Sequence, residues 1–183
     1  MNRTEEEPMS RTSRLLGRER KRTRMKARLL SRVARTQVVL RGALWAKMPL
    51  LAMAGPRVLE LDRDRCRVEM PFAYRNRNPF GSLYFAASLM AAEATTGLLV
   101  FFHEANRGKK GCSFIVTGVE ADFVKSAKSD VIFTCEQGEV IEAAFREAEL
   151  TKERVDRTLE VVGHRADGEE VARVKVRWYW RGR

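Results

Sequence analysis

The sequence is poor in the residues from which most catalytic signatures are built. It has two histidines, His103 and His164, and neither has a Ser or Cys partner near it in sequence, which argues against a Ser-His or Cys-His pair. Its three cysteines, Cys66, Cys112 and Cys135, are odd in number and far apart. That spacing excludes a disulfide framework and the paired ligands of a structural metal site. Each sits in a strand-like pattern and reads as a buried reduced thiol of a cytosolic protein. A phosphate-binding loop and a dinucleotide fingerprint are both missing. No short apolar core follows the basic start, so a secretory signal is not expected. Neither a metal nor a redox cofactor is expected.

Acid is scarce in one place only. Residues 1–47 carry fourteen Arg and Lys against four Glu, a net of +10, whereas residues 48–183 are balanced to +1. The basic character therefore belongs to an N-terminal extension, 1–47, and the near-neutral remainder, 48–183, reads as one domain. Residues 1–10 read as disordered. From Arg11 to about Lys47 the pattern is helical, with Met25, Leu29 and Val33 at fourfold spacing and Leu30 beside them, until Gly55-Pro56 ends it.

Past that point the period changes to two. Arg57 to Leu61 reads as a short strand, and Cys66, Val68, Met70 and Phe72 alternate with Arg65, Arg67 and Glu69. Strands are also expected at Phe114 to Val124, at Val131 to Cys135 and at Val155 to Val162. The last spans Ala172 to Trp180, where apolar residues alternate with Arg173, Lys175, Arg177 and Tyr179. Residues 106–111 read as a polar turn, Glu139 to Leu150 as a helix, and Asp167-Gly168 as a tight turn. Mostly short connections favour an antiparallel sheet.

Between the second and third strands, near residues 81–104, lies a helix that is apolar on every face. Leu83 to Phe102 approaches the length of a membrane span. However, it contains Ser88, Glu93, Thr95, Thr96 and five alanines. A central Glu would cost about 2–3 kcal/mol on insertion. A helix wrapped by a curved sheet in an α+β arrangement fits better. Glu93 is then the anomaly, because an unpaired carboxylate in an apolar setting is costly or takes up a proton.

The pattern resembles the hotdog fold of acyl-CoA thioesterases from about Leu44 to Trp180. The likeness is most specific at Asn78-Pro79-Phe80-Gly81-Ser82 entering the helix and at Ala92-Glu93-Ala94 further on. That pairing resembles the hotdog branch called domain of unknown function 4442, related to the phenylacetate-type thioesterases. There are departures. Many hotdog thioesterases open the helix with His-Gly-Gly and place an acid two turns in. Here the opening is Phe80-Gly81-Ser82, Ser88 and Leu89 occupy the usual acid positions, and Glu93 follows about one turn later.

The resemblance implies hydrolysis of an acyl-CoA or acyl-carrier thioester by a homodimer or dimer of dimers, with composite sites between subunits. A non-catalytic binder of acyl thioesters or lipids on the same scaffold is the alternative. Hydrolysis needs oxyanion donors, for which the N–H groups of Gly81, Ser82 and Leu83 are the candidates. It also needs a base, for which Glu93 is the candidate. Asn78 is the candidate to hold the attacking water or the thioester, with Tyr84 and Ser88 as pocket lining. Each assignment has a structural counterpart: Asn78 or Ser82 as a helix cap, Glu93 as an ion-pair or hydrogen-bond partner, Tyr84 and Ser88 as packing residues. Twelve residues of helix span roughly 18 Å, so Glu93 serves the Gly81 end only of an antiparallel partner helix. Three uses compete for the basic stretch at 11–41. An anionic membrane surface gains about 1 kcal/mol per basic charge. Nucleic acid is disfavoured because no aromatics are there to stack on bases. A solvated extension is the third. The expected location is cytoplasmic, peripheral to the membrane.

Overall fold

The computed structural model describes residues 37–107 and 111–183. The expectations for residues 1–36, disorder at 1–10 and most of the basic helix, lie outside the described residues, as does part of the turn at 106–111. Two helices open the described chain, α1 (Gln37–Lys47) and α2 (Pro49–Ala54). Pro49 starts α2, and Gly55 ends it in the left-handed conformation, its N–H bonded back to the Leu51 carbonyl at 3.1 Å. Leu44 of α1 already packs against the core, so the fold's contacts begin before residue 48.

Six strands follow: β1 (Arg57–Leu61), β2 (Cys66–Met70), β3 (Cys112–Phe123), β4 (Val131–Cys135), β5 (Arg154–Arg165) and β6 (Glu170–Gly182). All pair antiparallel in one sheet, in the order β1-β2-β4-β5-β6-β3. The period-two pattern sorts the faces. In β6, Val174, Val176, Trp178 and Trp180 are buried while Arg173, Arg177 and Arg181 are exposed. Register shifts at Val58/Glu60, Val116/Gly118 and Gly163/His164 accentuate the bend of the strands.

The curved sheet wraps α3 (Phe85–Ala105), a helix apolar on nearly every face. It is long and apolar enough to cross a membrane by composition, yet more than half of its apolar window is buried inside the fold. A second helix, α4 (Gly138–Thr151), seals the core with Ile141, Ala144, Phe145 and Ala148. This is the expected α+β arrangement. Cys66 and Cys135 oppose each other across β2 and β4, and Cys112 is likewise buried. Burial pushes the Cys66 thiol far up and that of Cys135 to about 11. None of the three is a nucleophile at neutral pH.

The strand order puts β1 and β3 at the two edges of the sheet. On β3, Val119 and Phe123 pair with Val176 and Ala172, residues of the helix-facing side, yet both remain largely exposed. Phe85 and Phe101, near the two ends of α3, are half-exposed as well. The Phe85 ring lies 6.1 Å from that of Phe123, and the Phe101 ring 5.4 Å from that of Phe114. One flank of the central helix and the edge strand beside it are thus left open together.

Candidate active site

The approach to α3 is a tied loop. The Asn78 side chain organises it: its Oδ1 accepts the N–H groups of Phe80 and Ser82, both at 3.0 Å, and its Nδ2 donates to Ser82 Oγ at 2.8 Å. The Gly81 N–H donates to the Asn78 carbonyl at 3.1 Å. Gly81 adopts φ +76°, and a Cβ there would meet nothing within 4 Å. Backbone conformation alone selects glycine. Gly81→Ala is therefore expected to cost about 1–2 kcal/mol in chemical denaturation. Gly81→Asn should cost less, because asparagine tolerates the left-handed region.

Helix α3 begins at Phe85, four residues later than expected, because tertiary bonds hold the chain extended up to that point. The Leu83 N–H donates to the Ala127 carbonyl and the Tyr84 N–H to the Asn76 carbonyl, both at 2.7 Å. Asn76 is itself buried, its Nδ2 donating to the carbonyls of Ala54 and Pro71 at 2.9 Å each. The expected oxyanion donors, the N–H groups of Gly81, Ser82 and Leu83, are thus all engaged within the chain. The first helical bond runs from Ser88 N–H to the Tyr84 carbonyl at 3.1 Å. This leaves the N–H groups of Phe85, Ala86 and Ala87 as the first-turn donors, at the positive end of the helix dipole. No side chain caps this end.

Glu93 lies further along the same helix. Its carboxylate accepts no hydrogen bond and forms no ion pair among the described residues; Oε1 rests 3.4 Å from where a Gly97 Cβ would stand, beside the ring of Trp178. Burial alone pushes its carboxyl above the ordinary glutamate value. The two threonines that follow it are occupied elsewhere. Thr95 Oγ1 donates to the Ala91 carbonyl at 2.7 Å, and Thr96 Oγ1 donates to the Glu93 main-chain carbonyl at 2.9 Å. Trp178 Nε1 donates to Thr96 Oγ1 at 3.1 Å, fixing the helical turn that carries the acid to the sheet. Trp178 and Thr96 were not among the expected site residues. The adjacent threonines in an otherwise apolar helix are the one sequence signal that points to them.

Helical geometry sorts the remaining candidates. Ala86 and Leu89 share the partly exposed flank of α3 with Glu93; Gly97, on the same side one turn on, is buried. Ser88 stands about 140° round the axis from Glu93 and is buried. Tyr84 is partly exposed, with its ring edge-on to Phe85 at 4.8 Å. Asn78, Gly81, Ser82, Leu83 and Tyr84 are brought together in the loop. Glu93 is not, since the rise from Phe85 to Glu93 is about 12 Å of helix.

The sequence profile of the family described as "Domain of unknown function (DUF4442)" matches residues 36–180. The chain belongs to the DUF4442 family. Among curated proteins none matches it. Solved structures of similar fold include a Pseudomonas aeruginosa protein of unknown function called a probable thioesterase. That protein is 24% identical, with a TM-score of 0.66 over 79% of this chain and 95% of its own. A protein of unknown function from Chlorobaculum tepidum is 13% identical, with a TM-score of 0.67 over 80% of this chain and 94% of its own. A Haemophilus influenzae thioesterase is 13% identical, with a TM-score of 0.59 over 80% and 91%. These likenesses establish the hotdog fold. In this DUF4442 chain the helix-opening His is absent, and the acid of the open flank is Glu93.

Proposed function

We propose that the protein hydrolyses an acyl thioester, carried on CoA or on an acyl-carrier protein, at a site shared by two copies of the chain. The observation that carries this reading is the unpartnered, half-buried carboxylate of Glu93 on the uncovered flank of α3. Structural carboxylates in apolar surroundings are paired. An unpaired carboxylate whose hold on a proton is strengthened by burial suits a general base. The first-turn donors of its own helix lie about 12 Å away, out of its reach. If two α3 helices pack antiparallel about a two-fold axis near Leu89 and Met90, Glu93 of one lies opposite the partner's Ala86. A carbonyl seated on the first-turn N–H groups then faces a water that Glu93 deprotonates. Hydroxide adds to the thioester carbon, the oxyanion is held by the N–H groups, and its collapse expels the thiolate, which takes the proton back from Glu93. The open edge of β3 and the exposed Val119, Phe123, Phe85 and Phe101 are the surface such a pairing would cover.

A panel of acyl-CoA and acyl-carrier thioesters, read by thiol release, tests the proposal. Turnover of at least one thioester class is the expected result. Tight binding of acyl-CoA with no release across the panel would sink the hydrolase reading and leave the non-catalytic binder, which the missing His favours.

A further inference from the structure

The short helices ahead of the sheet have two faces that differ sharply. Leu51, Ala52 and Ala54 are buried, and Leu44 packs against the core, which seats the helices on the fold. On the other side Trp45 is 57% exposed, Leu50 69%, Met53 57% and Met48 45%. Charge on this part of the chain is of one sign. Between Glu19 and Glu60 there is no acidic residue, and there are eleven Arg and Lys, of which Arg41 and Lys47 flank Trp45 and are exposed.

We infer that α1 and α2, together with the basic sequence leading into them, dock on an anionic lipid surface. A solvated extension has no need of an exposed Trp, Leu and two Met. It also gains from acids interspersed with the bases, which are absent here. Nucleic acid would engage the arginines and leave the apolar group unused. A second copy of the chain would set two strongly basic segments against each other. A lipid surface takes both features at once: the side chains of Trp45, Leu50 and Met53 enter the headgroup boundary while Arg and Lys stay at the phosphates. Tryptophan suits that boundary, with an apolar body and a polar N–H.

The protein contains its own reporter. Of three tryptophans, Trp178 and Trp180 are buried and only Trp45 meets solvent. The full chain is mixed with vesicles of phosphatidylcholine alone, or of phosphatidylcholine with phosphatidylglycerol. Tryptophan emission and co-sedimentation are followed. With the anionic vesicles we expect a blue shift and co-sedimentation, both reversed by high salt. The variant Trp45→Ala/Leu50→Ser/Met53→Ser should bind at least about tenfold more weakly with an unchanged circular dichroism spectrum. Equal binding to phosphatidylcholine alone would overturn the inference. So would full binding by the triple variant, or retention on duplex DNA without binding to either vesicle. A change of oligomeric size in the triple variant would assign the face to a second copy and overturn it too. None of these readouts depends on thioester turnover.

Discussion

Glu93→Gln is expected to unfold at the same temperature as the native protein or higher, and to lose at least about 100-fold of its thioester turnover. Both parts come from the same observation. No side chain among those described holds the Glu93 carboxylate, and burial alone raises its pKa. The folded state therefore prefers the protonated acid more strongly than the unfolded chain does. In the pH window between the ordinary glutamate value and the raised one, the folded state binds more protons, so this group's contribution to stability falls as pH rises. Above that window the ionised group is a cost, which glutamine removes. The native protein should thus lose some stability as pH rises from the ordinary glutamate value of about 4.3 through the raised one, and Glu93→Gln should flatten that part of the curve. Turnover has the opposite slope, because only the ionised acid accepts a proton from water. Its acidic limb should be displaced above the ordinary glutamate range. A paired structural carboxylate predicts a different outcome, a clear fall in melting temperature when one partner is removed. A stable variant with undiminished hydrolysis would remove Glu93 from the chemistry.

The sequence makes some of this architecture readable and hides the rest, and the division has a physical basis. Alternation in β6 and the all-round apolar character of α3 are local signals, so both elements stand where the pattern puts them. The β5–β6 hairpin is equally local: Gly168 has φ +86° and its N–H returns to the Arg165 carbonyl at 3.0 Å. Strand order is not a local property. β3 follows α3 in sequence but pairs with β6, and β4 inserts between β2 and β5. No period in the sequence encodes those choices. The start of α3 shows the same limit at finer scale. Asn78, Gly81 and Ser82 have the composition of a helix cap, and locally they are a turn and nothing more. Bonds from Leu83 to Ala127 and from Tyr84 to Asn76 decide where the helix begins. The candidate acid was legible because a charge in an apolar run is conspicuous. Its setting was not, since the bond from Trp178 to Thr96 joins residues 82 apart in sequence. Bonds within the chain likewise engage the N–H groups of Gly81, Ser82 and Leu83 and leave those of the first turn of α3 as the candidate donors.

If the site is shared between two chains, two inactive proteins should restore one active site when mixed. Glu93→Gln removes the base. Ala86→Asp places a negative charge at the second position of α3, where it stabilises the helix dipole but repels a developing oxyanion, so it too should lower turnover by about 100-fold while the fold holds. In a symmetric dimer each site draws its base from one chain and its donors from the other. A heterodimer of the two variants then has one site with both defects and one with neither. Random pairing of equal amounts makes half of the dimers mixed, each with half its sites intact, so activity should return to about a quarter of the native value. That is far above either variant alone. The proteins are unfolded and refolded together, or coexpressed with distinct tags, and the doubly tagged species is assayed. A site contained within one chain predicts no recovery at all, because every chain then carries its own defect. Recovery also depends on the antiparallel pairing. Charge placed on the open edge, as in Val119→Lys, should yield monomers in light scattering and abolish recovery along with native turnover. A monomeric Val119→Lys protein that keeps full activity would show that one chain suffices, and the pairing of α3 flanks would fall with the shared site.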